Sequence, residues 1–74
     1  MKHDDIKRID VALEVVRYSK QWQGTQFTDG DNILWISKTL YEIRDDRDRL
    51  IIPEVGKVYT VNVPVWLAEK EGLV

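Results

Sequence analysis

From Lys57 to Val63 the chain alternates between two sets of residues: Tyr59, Val61 and Val63 on one side of an extended backbone, Val58, Thr60 and Asn62 on the other. The pattern predicts a strand whose first set faces a core. Ile9 to Lys20 also has a period of two, but both faces carry apolar groups: Val11, Leu13 and Val15 on one, Ala12, Glu14, Val16 and Tyr18 on the other. A long strand of this kind buries different faces along its length as it bends around a small closed sheet, and the adjacent Val15 and Val16 mark the bend.

Gln21 to Thr28 is a weaker strand, with Trp22 and Phe27 in a polar background and Gly24 at its middle, where a glycine marks a bulge or a close approach. Asp29-Gly30-Asp31-Asn32 is a hairpin turn, and Ile33 to Ile36 returns from it as a short apolar strand. Ser37-Lys38-Thr39 is a polar break. Leu40 to Arg44 and Arg49 to Ile52 flank the charged Asp45-Asp46-Arg47-Asp48 as a second hairpin, and Pro53 to Gly56 is a further turn. Pro64 to Glu71 reads as a short helix, with Pro64 at its first position and Gly72 in the left-handed conformation that ends it. Trp66 and Leu67 are expected to be buried there, and Leu73 to fold back on Leu67 or Ala68.

Short strands, tight turns and one terminal helical piece predict a mainly β fold. The expectation is a small SH3-like or OB-like barrel of five or six short antiparallel strands with a short C-terminal helix plugging one end. Residues 1–8 are polar and read as a flexible N-terminus, leaving residues 9–74 as a single small β-barrel domain. At 74 residues the core supplies only about 3–5 kcal/mol of net stability. No cysteine is present to staple it or to bind zinc through thiolates, so the domain relies on packing or association in a reducing, cytoplasmic setting. The longest uncharged apolar stretch, Val58 to Ala68, is too short and too broken for a membrane span, and the charged start lacks the apolar run of a secretory signal.

Composition narrows the chemistry. Thirteen acids and eleven bases are mixed along the chain, giving a net charge of -2 and no global field that would draw in a polyanion. The sole histidine, His3, lies in the N-terminal segment; Ser37 and Lys38 are adjacent, which on a strand points them apart, so turn capping by Ser37 and Thr39 is the expected role. Asp29 to Asn32 starts like a calcium loop, but Ile33 occupies a ligand position and no closing acid follows. Asp45, Asp46 and Asp48 alternate with Arg44, Arg47 and Arg49 and compensate one another. No catalytic, metal or cofactor residue is therefore assigned, and the chain is read as a non-enzyme.

Aromatic residues carry the remaining functional signal. Trp35 and Trp66 are assigned to the core, whereas Trp22, among glutamines, is open to either reading. Tyr18, Lys20, Trp22 and Lys38, with Arg44, Arg47 and Arg49, form the candidate interaction surface, since exposed aromatic residues and arginine anchor interfaces. A homodimer through the second strand or the helix is a further expectation for so small a core.

Two segments, Ile33-Leu34-Trp35-Ile36-Ser37-Lys38-Thr39 and Val61-Asn62-Val63-Pro64-Val65-Trp66-Leu67-Ala68-Glu69-Lys70-Glu71-Gly72-Leu73, resemble a class of small phage and prophage proteins. Those pair a Trp-Ile/Leu-Pro-Lys-Ser turn with a closing Val-Pro-Glu-Trp-Leu-Ala-x-x-x-Gly-Leu helix. The chain departs at Ser37 (proline in the class), Thr39 (serine) and Val65 (glutamate), the last removing an acid that the helix dipole favours by about 0.3–1 kcal/mol. The resemblance implies a small β-rich fold and a phage or mobile-element origin. The expected function is a non-enzymatic accessory module that docks on an unknown protein partner, inhibition of a host enzyme being one form of this. The alternative is a weak single-stranded nucleic-acid binder that stacks bases on its aromatic residues. No membrane partner is expected.

Overall fold

One strand serves both halves of the sheet. β1 (Arg8–Ser19) pairs antiparallel through its first half with β4 (Val58–Pro64), from Arg8 opposite Pro64 to Glu14 opposite Val58. Its second half pairs with β2 (Gly24–Thr28), from Glu14 opposite Thr28 to Ser19 opposite Gly24. A hairpin then joins β2 to β3 (Ile33–Ser37), and the order across the sheet is β3-β2-β1-β4. The structure is a computed structural model that describes residues 7–21 and 23–74.

The bend in β1 falls where the paired valines predict it. The register with β2 slips between Val15 and Arg17, leaving Val16 as the extra residue of a bulge. On the opposite side, the Val15 N–H donates to the Lys57 carbonyl at 3.0 Å and the Gly56 N–H donates to the Val15 carbonyl at 2.8 Å. Gly56 and Lys57 together thus oppose Val15, with Gly56 at φ +87°, the arrangement of a bulge that needs glycine at its first position. Of the two apolar faces, the one with Val11, Leu13 and Val15 is turned inward, the last two residues fully buried.

The core gathers Leu13 and Val15 with Phe27, Leu34, Ile36, Ile43, Val61, Val63, Leu67 and Ala68. Tyr59 packs against it, completing the inward set of the last strand. The fold is mainly β, but the sheet is open and four-stranded, not a closed barrel of five or six strands. The difference lies between residues 38 and 57, which contribute only the single bridges Glu42–Asn62 and Arg44–Leu50. There Asp45 takes the backbone into a tight loop: its carboxylate accepts the N–H groups of Arg47 and Arg49, and Asp48 turns left-handed at φ 63°. The expected second hairpin forms only briefly around this loop, through the Asp45 N–H to the Arg49 carbonyl, the Arg44–Leu50 bridge and the Ile51 N–H to the Ile43 carbonyl.

Several boundaries also shift. β2 starts at Gly24 instead of running through it. The flexibility expected for residues 1–8 falls mostly outside the described residues; Lys7 and Arg8 are described, Arg8 as the first residue of β1. Pro64 does not open the helix. It ends β4 in an extended conformation (φ -61°, ψ 143°) and precedes α1 (Val65–Lys70), so the expected helix of Pro64 to Glu71 is shorter at both ends. The fixed φ of proline suits either place, and the pairing of Pro64 with Arg8 decides for the strand.

The helix stop follows the expected pattern closely. Gly72 lies at φ +75°, its N–H donates to the Glu69 carbonyl and the Leu73 N–H donates to the Ala68 carbonyl at 2.8 Å, the paired bonds of a Schellman motif. Leu73 packs on the core. Trp66, however, is not the plug: α1 buries Leu67 and Ala68, and Trp66 is 49% exposed. Trp35 is likewise not a core residue; Leu34 and Ile36 take the inward positions of β3, which turns Trp35 outward at 38% exposure. No helix among the described residues is long and apolar enough to cross a membrane.

These placements separate neighbours by their energetic role. Leu67→Ala should cost about 2–5 kcal/mol, whereas Trp66→Ala should stay within about 1 kcal/mol, read as shifts in the urea midpoint. Gly72→Ala should cost about 1–2 kcal/mol through backbone strain alone, because the added methyl would meet its nearest neighbour, Asn32 Nδ2, at an ordinary 3.8 Å.

Candidate functional site

Three of the residues singled out from the sequence come together at one place. Tyr18 and Lys20, at the end of β1 and in the turn after it, face Lys38, in the turn that follows β3, across a cleft of about 370 Å³. The two turns are tied by backbone. The Gln23 N–H donates to the Ser19 carbonyl at 2.9 Å, and the Lys38 N–H donates to the Gln23 carbonyl at 3.0 Å. Gln23 holds a left-handed φ of 59° to make this link.

Tyr41, Ile52 and Pro53 supply the remaining side of the cleft, with Thr25 at its base. Tyr41 is fixed: its hydroxyl is 2.7 Å from Thr25 Oγ1, and its ring meets Phe27 edge-on with centroids 5.0 Å apart. Tyr18 is 44% exposed. Partial burial pushes its phenol above the ordinary value, and the nearby Tyr41, Tyr59 and Glu54 push in the same direction, so it stays a neutral hydrogen-bonding group across the physiological range. Ile52 lies at the lip with 86% of its surface exposed.

Charge in the cleft is one-sided. Among the described residues, Lys20 and Lys38 line it, no carboxylate does, and neither lysine makes an ion pair. Glu54, next to Pro53 of the lining and close enough to act on Tyr18, engages Lys57 at 3.2 Å. Arg44, Arg47 and Arg49 do not line this cleft. Arg44 binds Glu42 at 3.3 Å and approaches Asp48 at 3.8 Å, while Arg49 binds Asp45 at 2.9 Å, so the compensation read from their alternation is met in part, through Arg44–Asp48 and Arg49–Asp45. Arg44 borders a separate polar hollow with Asp10, Glu42, Thr60 and Asn62.

Other assignments resolve individually. Trp22 and His3 lie outside the described residues. The Ser37 hydroxyl pairs with Thr39 Oγ1 at 3.0 Å and not with Lys38, as expected of a turn cap. Asp29 likewise closes its own hairpin, its Oδ1 accepting the N–H groups of Asp31 at 2.9 Å and Asn32 at 2.7 Å. β2 is paired on both edges, by β1 and β3, so it offers no edge for the expected homodimer; the outer side of the helix, with Trp66, is the route that stays open. Ile52 and Pro53 were not singled out for a site, although Ile52 is apolar and exposed in a segment with no periodic partner.

No protein-family model matches the chain, and neither the curated proteins nor the solved structures contain a match. The likeness to small phage proteins therefore rests on the two segments that carry it.

Both loop carboxylates are acidified by the hydrogen bonds they accept. Asp29 is lowered first by the N–H of Asn32 and then of Asp31, against desolvation; Asp45 is lowered first by the N–H of Arg49, which desolvation opposes, and then by the N–H of Arg47 and the Arg49 side chain. A carboxylate with a depressed folded pKa stabilises the loop fully above its unfolded value and loses that contribution as pH falls through the lower, folded value. The amides of Asp31, Asn32, Arg47 and Arg49 should therefore shift together with midpoints below the ordinary carboxylate value in an NMR pH titration. Asp45→Ala should lower the urea midpoint at neutral pH and lose that deficit near pH ~2.

Proposed function

We propose that this chain is a non-enzymatic accessory binding module, of phage or mobile-element type, that docks on a protein partner through the cleft between Tyr18 and Tyr41. The observation that carries this reading is the makeup of the cleft. Two aromatic rings, an exposed isoleucine and a proline form an apolar recess, and a pair of lysines and a few backbone groups supply polarity. Concave, mostly apolar sites with few polar groups are where proteins take up ligands, and tyrosine walls hold a large contact area with little loss of side-chain freedom.

Docking also suits the chemistry of the lining. Among the described residues it has no histidine, cysteine or carboxylate, and the serine beside Lys38 is engaged by Thr39. The resemblance to small phage proteins supports the accessory role. A second reading, weak binding of single-stranded nucleic acid, draws on the same Tyr18, Lys20, Tyr41 and Lys38. It is the weaker of the two, because Arg44 and Arg49 are bound to acids and neither they nor Arg47 line the cleft.

Affinity capture from the source cells, with wild type compared to Tyr18→Ala and Ile52→Asp, tests the docking reading. Both positions are exposed enough for the variants to keep the wild-type urea midpoint to within about 1 kcal/mol. A partner retained by the wild type should be lost with both. A stoichiometric turnover activity abolished by Ser37→Ala in a folded protein would sink the non-enzymatic reading.

A further inference from the structure

The cleft is charged as well as apolar, and its charge selects what enters. We infer that its occupant is an extended, acidic peptide segment of the partner, which places an apolar side chain between Tyr18 and Tyr41 and its Asp or Glu carboxylates against Lys20 and Lys38. This rests on the docking reading and adds the chemistry of the ligand.

The argument is one of complementarity. In a chain of net charge -2 the described lining of this cleft holds two cations and no acid, and Glu54, close enough to act on Tyr18, is paired with Lys57, so the cleft is a local positive site on an acidic molecule. The lysines sit on two turns clamped together by the backbone bond from Lys38 N–H to the Gln23 carbonyl at 3.0 Å, so both charges flank one recess. Ammonium groups not already paired with a protein carboxylate attract an anionic ligand without first breaking an internal bond. The apolar recess between them, with Ile52 at its lip, excludes a purely ionic ligand such as a free anion and requires an apolar group on the same chain.

The peptide is favoured over a nucleic-acid strand on charge count. A strand carries a phosphate at every residue and its binding depends on a run of cations, whereas this cleft offers two. A peptide with two or three acids around one apolar residue matches that number.

The test is a selection of random nonapeptides on the immobilised full-length chain, followed by anisotropy titration of labelled peptides and of an eight-thymidine oligonucleotide. Selected peptides should be enriched in Asp and Glu next to an aromatic or aliphatic residue. Their affinity should fall at least about tenfold in the Lys20→Glu/Lys38→Glu double variant and severalfold from low to high salt. Lys20→Ala/Lys38→Ala, with an unchanged urea midpoint, should show an intermediate loss. Tyr18→Ala reports separately on the docking reading. If Tyr18→Ala abolishes peptide binding while charge reversal leaves it intact, the cleft is a docking site but the acidic occupant is refuted. Selection of neutral or basic peptides, no enrichment, or tighter binding of the oligonucleotide than of every peptide would also overturn it.

Discussion

The whole sheet depends on β1 having two different partners along its length. Its first half completes a pair with β4 and its second half a pair with β2, and only Glu14 is opposed on both sides within the named ladders. The next residue, Val15, has its N–H and carbonyl bound to Lys57 and Gly56, lies opposite Phe27, and buries its side chain completely. Remove that junction and the molecule separates into a terminal pair and a hairpin with no common core. A bulge at Val16 supplies the bend that lets one strand feed both.

Much of this was legible because it is local. The inward triplet Val11, Leu13 and Val15, the hairpin at Asp29 to Asn32 and the glycine stop at Gly72 each follow from residues within a few positions of one another. Trp35 shows a signal read wrongly: the alternation of Leu34 and Ile36 already places it outward, and its large apolar surface outweighed the period. Trp66 is different, since a helix of six residues is too short for a period to distinguish it from Leu67. The hydrophobic pattern also does not carry the fact that residues 38–57 form a brief hairpin around Asp45 and single bridges in place of further strands.

The candidate site was half visible for the same reason. Tyr18 and Lys20 are close in sequence, but Lys38 joins them only because the turn after β3 returns to the start of β2, and Tyr41, Ile52 and Pro53 arrive with the irregular segment that failed to become strands. The failure of the barrel and the existence of the cleft are one event. A closed ladder there would have filled the space with paired backbone; an irregular path leaves a recess, and Tyr41 ties the recess to the core through Phe27 and Thr25.

Asn62 gives the outer edge of β4 a property of its own. Its N–H and carbonyl both pair with Glu42, and its side chain is held by Asp10 and Arg8. An uncovered border strand is a template for neighbouring molecules to add to, one chain after another, into insoluble stacks. A single reciprocal bridge with Glu42, next to a side chain held by two charged residues of β1, interrupts the run of free backbone groups along that border. The irregular segment thereby covers one border of the sheet at Asn62, while β3 forms the other border.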